Sequence, residues 1–247
     1  MRSFRMFVVL TLTVLVSAGW AGADVKVVQK HHQDAFSMMG QQQPASDEEQ
    51  VTWIGDGKLR MDQGSTTTIV DLDAKKMFIV KHDDTSYTEV DLPVDLKSLL
   101  PPGMGEQILT MMQFDVTVTP SDETKKVGEW TAKRYDLEMT SAMINMSSVL
   151  WASTETPVDF GKYYDLYSEV MSLQPGMEDM LESMRKIDGF VVSQEATMTM
   201  KAMGETSVGS SDVVTSIDTV DPPAGTYAPP ADYAREDFDF MKMMQRR

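Results

Sequence analysis

The sequence contains no cysteine among its 247 residues. This absence excludes disulfide bonds, thiolate metal sites, a cysteine nucleophile and a cysteine-linked lipid anchor. Histidine is scarce, with three residues, and no G-x-S-x-G, H-E-x-x-H or P-loop pattern is present. The adjacent pair His31-His32 would point to opposite faces of a strand and would not chelate one ion. We therefore expect no enzyme activity, no catalytic residue, no cofactor and no metal site.

Positive charge is also in short supply. Lys and Arg number 22 against 38 Asp and Glu, which gives a formal charge of −16. Removing residues 1–23, which contain Arg2 and Arg5 but no acidic residue, leaves 20 basic residues and a charge of −18. Such a surface repels phosphate backbones and anionic lipid head groups, so nucleic acid is not an expected partner.

The chain begins with a pattern typical of a targeting segment. Two arginines precede a short apolar run from Met6 to Val16, and Ala21-Gly22-Ala23 offers a cleavage site for signal peptidase. The run is too short for a membrane span, so we expect no stable membrane insertion after cleavage. This predicts a signal peptide over 1–23 and a location in the periplasm or outside the cell. The rest is expected to form one domain over 24–235 and a flexible C-terminal tail over 236–247.

Residues 51–90 predict a meander of short antiparallel strands. Apolar and polar residues alternate, and the turns fall at Asp56-Gly57, Gln63-Gly64, Asp73-Lys75 and His82-Asp84. Asp56-Gly57 is typical of a type I′ turn, in which both central residues have positive φ. Val51, Trp53, Leu59 and Met61 share one numerical parity, so we expect them to share the buried face.

The remaining segments predict a mainly β fold with some helix. Residues 37–50 are polar and predict a surface loop, whereas 95–113 predict short helices broken at Pro101-Pro102-Gly103. Three strands are expected over 114–153, with Gly128 at a bulge. Apolar residues at helical spacing predict two helices between Pro157 and Asp188, and two strands and an extended tail follow. The total is about ten or eleven strands.

Three segments carry a resemblance to a known family. The stretches GDGKLRMD, IVDLDAKKMFIV and TYAPPADY, with the order of the elements, resemble a family of bacterial exported proteins of unknown function with a fold like the lipoprotein carriers LolA and LolB. The resemblance implies an α+β fold, in which a strongly curved antiparallel sheet forms a half-barrel. It also implies that helices cover the concave face of that sheet.

Methionine is unusually frequent, with 22 residues. Flexible thioethers suit a pliable apolar cavity, so we expect a hydrophobic small molecule or lipid as partner. Soft thioethers also bind Cu(I), which leaves a Met-rich copper-binding protein as one alternative. A structural envelope protein with a filled core is the other, and the oligomeric state stays open. The residues predicted to line the cavity are Trp53, Leu59, Met61, Trp151, Tyr163, Tyr167, Met177, Met180 and Met184.

Overall fold

The computed structural model describes residues 23–38, 41–93, 114–172, 178–201 and 206–237. These residues contain fourteen strands and two helices. The first eight strands are β1 (Asp24–Gln33), β2 (Phe36–Met38), β3 (Gln41–Gln43), β4 (Ser46–Gly55), β5 (Lys58–Gln63), β6 (Thr66–Asp71), β7 (Lys76–Lys81) and β8 (Ser86–Asp91). They are followed by β9 (Asp115–Val127), β10 (Trp130–Thr140), β11 (Ile144–Ser153), α1 (Phe160–Ser172), α2 (Glu178–Met184), β12 (Phe190–Met200), β13 (Thr206–Val220) and β14 (Ala234–Glu236).

Twelve of these strands form one sheet. Their order is β14-β8-β7-β6-β5-β4-β1-β13-β12-β11-β10-β9, and β2 pairs with β3 in a separate small sheet. All neighbours are antiparallel except β14, which pairs in parallel with β8. β1 joins the two halves of the sheet because it lies between β4 and β13. The meander and the strands after residue 114 therefore belong to one continuous layer.

The predicted half-barrel with a helical cover is wrong. The described strands make one open twelve-stranded sheet that does not close into a barrel, and the two described helices do not cover a concave face. Instead, α2 packs against β9, and Tyr163 of α1 packs against Phe190 of β12. The helical stripe in the sequence reports that a face is buried, but it does not say which strands bury it. The helices expected over 95–113 lie outside the described residues, as does the break at Pro175-Gly176.

The predicted meander is confirmed over β4 to β8. Each hairpin pairs in the register that its turn imposes, for example Gly55 with Lys58 and Asp71 with Lys76. The type I′ geometry is wrong, because only Gly57 of the Asp56-Gly57 pair has positive φ, at 64°. Positive φ also occurs at Lys75 in a later turn of the meander.

Two further local predictions are wrong. The expected surface loop over 37–50 contains β3 and the first half of β4, whose Glu48 and Gln50 pair with His31 and Gln29. Polar side chains on both faces hide a strand from a hydrophobicity pattern, whereas its backbone can still complete a ladder. Gly128 lies in the turn between β9 and β10, with φ of 56°, and is not a bulge inside a strand.

Two apolar clusters form the described core. The larger contains Val27, Leu59 and Val70 from the meander half together with Val192 and Val214 from the second half. The smaller contains Tyr135, Leu150 and Ile187, and Met184 of α2 packs against it. None of the helices in the described part of the chain combines the length and the apolar character that crossing a membrane requires.

Residues 221–237, here called the C-terminal strap, run across the meander half of the sheet. The Arg60 guanidinium donates a hydrogen bond of 2.9 Å to the carbonyl oxygen of Thr226. Tyr233 bonds the His82 ring at 3.1 Å, and β14 then pairs with β8. Ile69 lies directly opposite Arg60 on the same face of the sheet and is fully buried. The face of the meander that the strap crosses is therefore shielded from solvent at this point.

Strand β9 forms the other edge of the sheet. Its Pro120 has no N–H group and lies beside a register shift between Lys133 and Tyr135 of β10. Four charged residues follow Pro120 in β9: Asp122, Glu123, Lys125 and Lys126.

Candidate functional site

An apolar cavity of about 510 Å³ lies between the two helices and the second half of the sheet. Side chains from β9 to β13, from both helices and from Gln29 of β1 line it. The volume lies within the range of about 300–1,000 Å³ that is common for small-molecule sites. This cavity is the candidate functional site.

Helix α1 supplies an aromatic wall. Tyr163 and Tyr167 are one helical turn apart, and their rings stack with centroids 6.1 Å apart. Tyr163 also meets Phe190 of β12 edge to face at 5.3 Å. Burial, followed by the neighbouring Tyr167, raises the pKa of the Tyr163 hydroxyl far above its usual value. Burial likewise raises the pKa of Tyr167, so both hydroxyls are neutral at physiological pH.

Helix α2 supplies a methionine wall, with Met180 and Met184 one turn apart. Ser183 fixes this helix to the sheet, because its hydroxyl donates a hydrogen bond of 2.8 Å to the carbonyl oxygen of Val116 in β9. The Tyr164 hydroxyl donates to the carbonyl oxygen of Leu181 and so links α1 to α2. These bonds position the flexible thioethers over the strands and give the hydroxyl of the lining residue Tyr164 a partner.

The strand wall of the cavity becomes polar near β1. Gln29, Gln194 and Asp212 contribute to the lining there. Asp212 accepts a hydrogen bond of 2.8 Å from Nδ1 of His31, and the Gln29 amide donates one of 2.7 Å to Gln50. The site is therefore amphipathic, with aromatic and thioether groups on the helices and amides and a carboxylate at the β1 side of the sheet.

Four of the nine predicted lining residues are in the cavity wall: Tyr163, Tyr167, Met180 and Met184. Met177 lies outside the described residues. Leu59, Met61 and Trp151 belong to or pack against the larger core cluster and are absent from the wall as described.

Trp53 lies on the opposite face of the sheet from Leu59 and Met61, so the prediction that they share a face is wrong. Gly55 pairs with Lys58, which makes Trp53 oppose Arg60 and Ile54 oppose Leu59. Directly opposed residues share a face, and this two-residue loop pairs odd numbers with even ones. Counting parity straight through this hairpin therefore assigns the whole of the second strand to the wrong face of the sheet.

The sequence reading missed the polar end of the cavity. Gln29, Gln194 and Asp212 come from strands far apart in the chain, and each stands among residues of ordinary polar composition. The only local signal was His31, which lies opposite both Glu48 and Asp212. Only the pairing of β1 with β13 brings these groups to one place.

Three methionines form a row across neighbouring strands beside the cavity. Met139 of β10 lies directly opposite Met146 of β11, which lies directly opposite Met198 of β12. Directly opposed Cβ atoms are about 4.5–5.5 Å apart, within mutual reach of flexible side chains. Met139 and Met146 also line the cavity. In the part of the chain that the structure describes, no group of three or more His, Cys, Asp or Glu side chains is placed to hold a metal ion.

A second depression of about 670 Å³ lies on the other face of β10 to β13. Its wall is polar and acidic, with Asp136, Glu138, Glu195 and several Ser and Thr residues. His32 stands at its rim, and the hydrogen bond to Asp47 is the main cause that raises the pKa of this imidazole. This depression is open and wet, and it lacks the apolar lining that is typical of small-molecule sites.

A comparison with protein-family models found no match, and a comparison with curated proteins found no significant match. The function must therefore be argued from the cavity itself.

Proposed function

We propose that the protein is a non-enzymatic, exported binding protein for a hydrophobic ligand, such as a lipid or an acyl chain. The ligand occupies the cavity between α1, α2 and strands β9 to β13. The observation that carries this proposal is the cavity volume of about 510 Å³ beside an aromatic and methionine wall. A filled core would leave only voids near the size of a water molecule.

The chemistry of the wall supports an apolar ligand of variable shape. Met180 and Met184 can change rotamer at little cost, so the wall can adapt to chains of different length or branching. Tyr163 and Tyr167 provide large rigid surfaces against which a chain can pack. Burial of that apolar area supplies the free energy of binding.

Binding of N-phenyl-1-naphthylamine, an uncharged fluorescent probe, tests the proposal. The probe should bind the wild-type protein with a rise in fluorescence, and Met180→Trp should abolish or strongly reduce the rise because the larger indole obstructs the cavity. Met143→Trp is the matched control, since Met143 is 39% exposed and stands outside the wall. A wild-type protein that does not bind the probe, or a Met180→Trp variant that binds it as well as wild type, would leave the structural role as the better reading.

Cu(I) binding is a second candidate, favoured by the row Met139, Met146 and Met198. Thioethers are soft ligands that select Cu(I) over harder cations. If copper is the ligand, the functional site is this row of methionines rather than the apolar lining of the cavity.

A competition titration with a coloured Cu(I) chelator under reducing conditions decides between the two candidates. If copper is the ligand, Met146→Leu should weaken binding by about tenfold or more, because it removes the central thioether while conserving volume. Met77→Leu is the control, since Met77 pairs with Val70 and Val90 in the other half of the sheet. Equal Cu(I) affinity of the three proteins would exclude this candidate.

A further inference from the structure

The polar end of the cavity is a continuous row across four strands. Glu48 of β4, His31 of β1, Asp212 of β13 and Gln194 of β12 are directly opposed in turn. Directly opposed residues share a face, so all four side chains lie on the face that carries the cavity. Gln29 and Gln50 form the neighbouring pair on the same two strands, β1 and β4.

The hydrogen bonds of this row leave polar atoms of Asp212 and Gln194 without a partner among the described residues. His31 occupies only Oδ1 of Asp212, and the described residues give no partner to Oδ2. The Gln194 side chain lines the cavity and forms no hydrogen bond with the described residues. The free carboxylate oxygen of Asp212 can only accept hydrogen bonds, whereas the Gln194 amide offers one acceptor and two donors.

The charge of this end is negative. Asp212 is the only acidic or basic side chain in the cavity wall as far as the structure describes it, and Glu48 adds a second carboxylate to the same row. The neutral Tyr163 and Tyr167 hydroxyls contribute no charge to oppose it. His31 lies between the Asp212 and Glu48 carboxylates, and even a charged imidazole would leave the row with net negative charge. Arg185 contacts the lining residue Tyr164 at 5.4 Å, on the helix side of the cavity.

We infer that the bound amphiphile has a head that donates hydrogen bonds, an amine or an alcohol, and that the site rejects carboxylate heads. This inference rests on the proposed function, since it assigns the head of the ligand whose chain the helices cover. An ammonium head would meet Oδ2 of Asp212 and the Gln194 carbonyl oxygen with donors. A carboxylate head would place like charge beside Asp212 and its oxygens against Oδ2 of Asp212, which costs affinity.

Displacement of N-phenyl-1-naphthylamine by decylamine, decanol and decanoate at neutral pH tests the inference, because all three are unbranched ten-carbon compounds with different heads. Decylamine should bind about tenfold or more tighter than decanoate, with decanol between them. The whole chain carries −16 and attracts amines to its surface, so only binding that is lost in Met180→Trp is counted.

Asp212→Asn should remove most of the difference between decylamine and decanoate. Asp218→Asn is the matched control, because it makes the same change of charge on the same strand at an exposed position opposite Lys26. It should leave the preference intact.

Each outcome has one meaning. If neither the probe nor any of the three compounds binds, the proposed function fails and the head assignment fails with it. If all three displace the probe equally, or decanoate binds tightest, the proposed function stands and the head assignment is overturned. The wild-type order alone decides this, so the test does not depend on the folding of the Asp212→Asn variant.

Discussion

Gly55, the last residue of β4, stands where no side chain fits. A Cβ atom built there would lie 2.8 Å from the Tyr227 hydroxyl oxygen and 2.9 Å from Oδ2 of Asp24, which Tyr227 also hydrogen-bonds. Gly55→Ala should therefore force the C-terminal strap away from the β1 end and lower the free energy of unfolding by about 1–3 kcal/mol. Urea denaturation measures the change.

Gly161→Ala provides the comparison for Gly55→Ala. Gly161 lies in α1, where an added Cβ would meet only Asp159 Oδ1 at 3.4 Å, so alanine should keep or raise stability. Equal denaturation midpoints for wild type and Gly55→Ala would show that the strap can move without a loss in the free energy of unfolding.

Asp71 gives a pH-dependent contribution to stability. Burial opposes its ionisation, but hydrogen bonds from the Ala74 N–H and the Lys58 ammonium outweigh burial and hold the pKa of Asp71 below its usual value. A carboxyl whose pKa is lower in the folded state than in the unfolded state stabilises the fold at pH values above its unfolded-state pKa. This contribution is lost as the pH falls through its folded-state pKa. Asp71→Asn should therefore cost about 1 kcal/mol at pH 7. This deficit should shrink below a pH of about 3.9.

Chemical denaturation of wild type and Asp71→Asn at several pH values measures this effect. Asp83→Asn, an exposed change in the turn between β7 and β8, should show no such pH-dependent difference. A deficit for Asp71→Asn that is the same at pH 7 and at pH 3 would contradict the assignment.

At the scale of elements, the C-terminal strap is held by a chain of polar contacts. Tyr233 hydrogen-bonds His82 and packs edge to face against its ring at 5.7 Å, and His82 also bonds the buried Thr67 hydroxyl at 2.9 Å. Tyr233→Ala should release β14 and expose the edge of β8. We expect faster amide hydrogen exchange over 86–91, with β11 and β12 unchanged.

Tyr233→Phe separates packing from hydrogen bonding in the same experiment. It keeps the ring contact with His82 and loses only the hydroxyl, so it should cost about 0.5–1.5 kcal/mol and leave β14 paired. Exchange over 86–91 that is as slow in Tyr233→Ala as in wild type would show that β14 pairs without this anchor.

The elements differ in how far the sequence determines them. Asp56-Gly57, Gln63-Gly64 and the later turns impose the register of the meander locally, so its strands were predictable. The strands against which α1 and α2 pack were not predictable, because an apolar stripe on a helix indicates a buried face but not the surface that buries it. β3 and the start of β4 were not predicted because Gln and Glu dominate them and give no hydrophobic pattern. Each becomes a strand by pairing with a neighbour, β3 with β2 and β4 with β1.

At the scale of the whole molecule, the predicted signal peptide ends immediately before β1. Cleavage after Ala23 would leave all described strands complete and would keep Asp24 in its contact with Tyr227. We expect protein secreted by its native host to begin at Asp24, as measured by N-terminal sequencing or intact mass. A retained Met1 in exported protein would refute the cleavage site.

The candidate site shows where sequence reasoning ends. Helical spacing made four of the lining residues predictable. Tyr163 and Tyr167 lie one turn apart in α1, and Met180 and Met184 lie one turn apart in α2. Asp212 and Gln194 were not predictable as lining residues, since their position depends on the pairing of β13 with β1 and β12. The row of Met139, Met146 and Met198 likewise exists only in the register of three strands.

The edges of the sheet bear on how the protein behaves at high concentration. An open sheet can in principle recruit a thirteenth strand from another molecule and so begin a growing fibril. Here β14 covers β8 over three residues, and β9 contains Pro120, which has no N–H group to donate to an incoming strand, followed by the charged residues Asp122, Glu123, Lys125 and Lys126. These features of the two edge strands oppose pairing with a strand from another molecule, and so oppose growth of the twelve-stranded sheet across molecules.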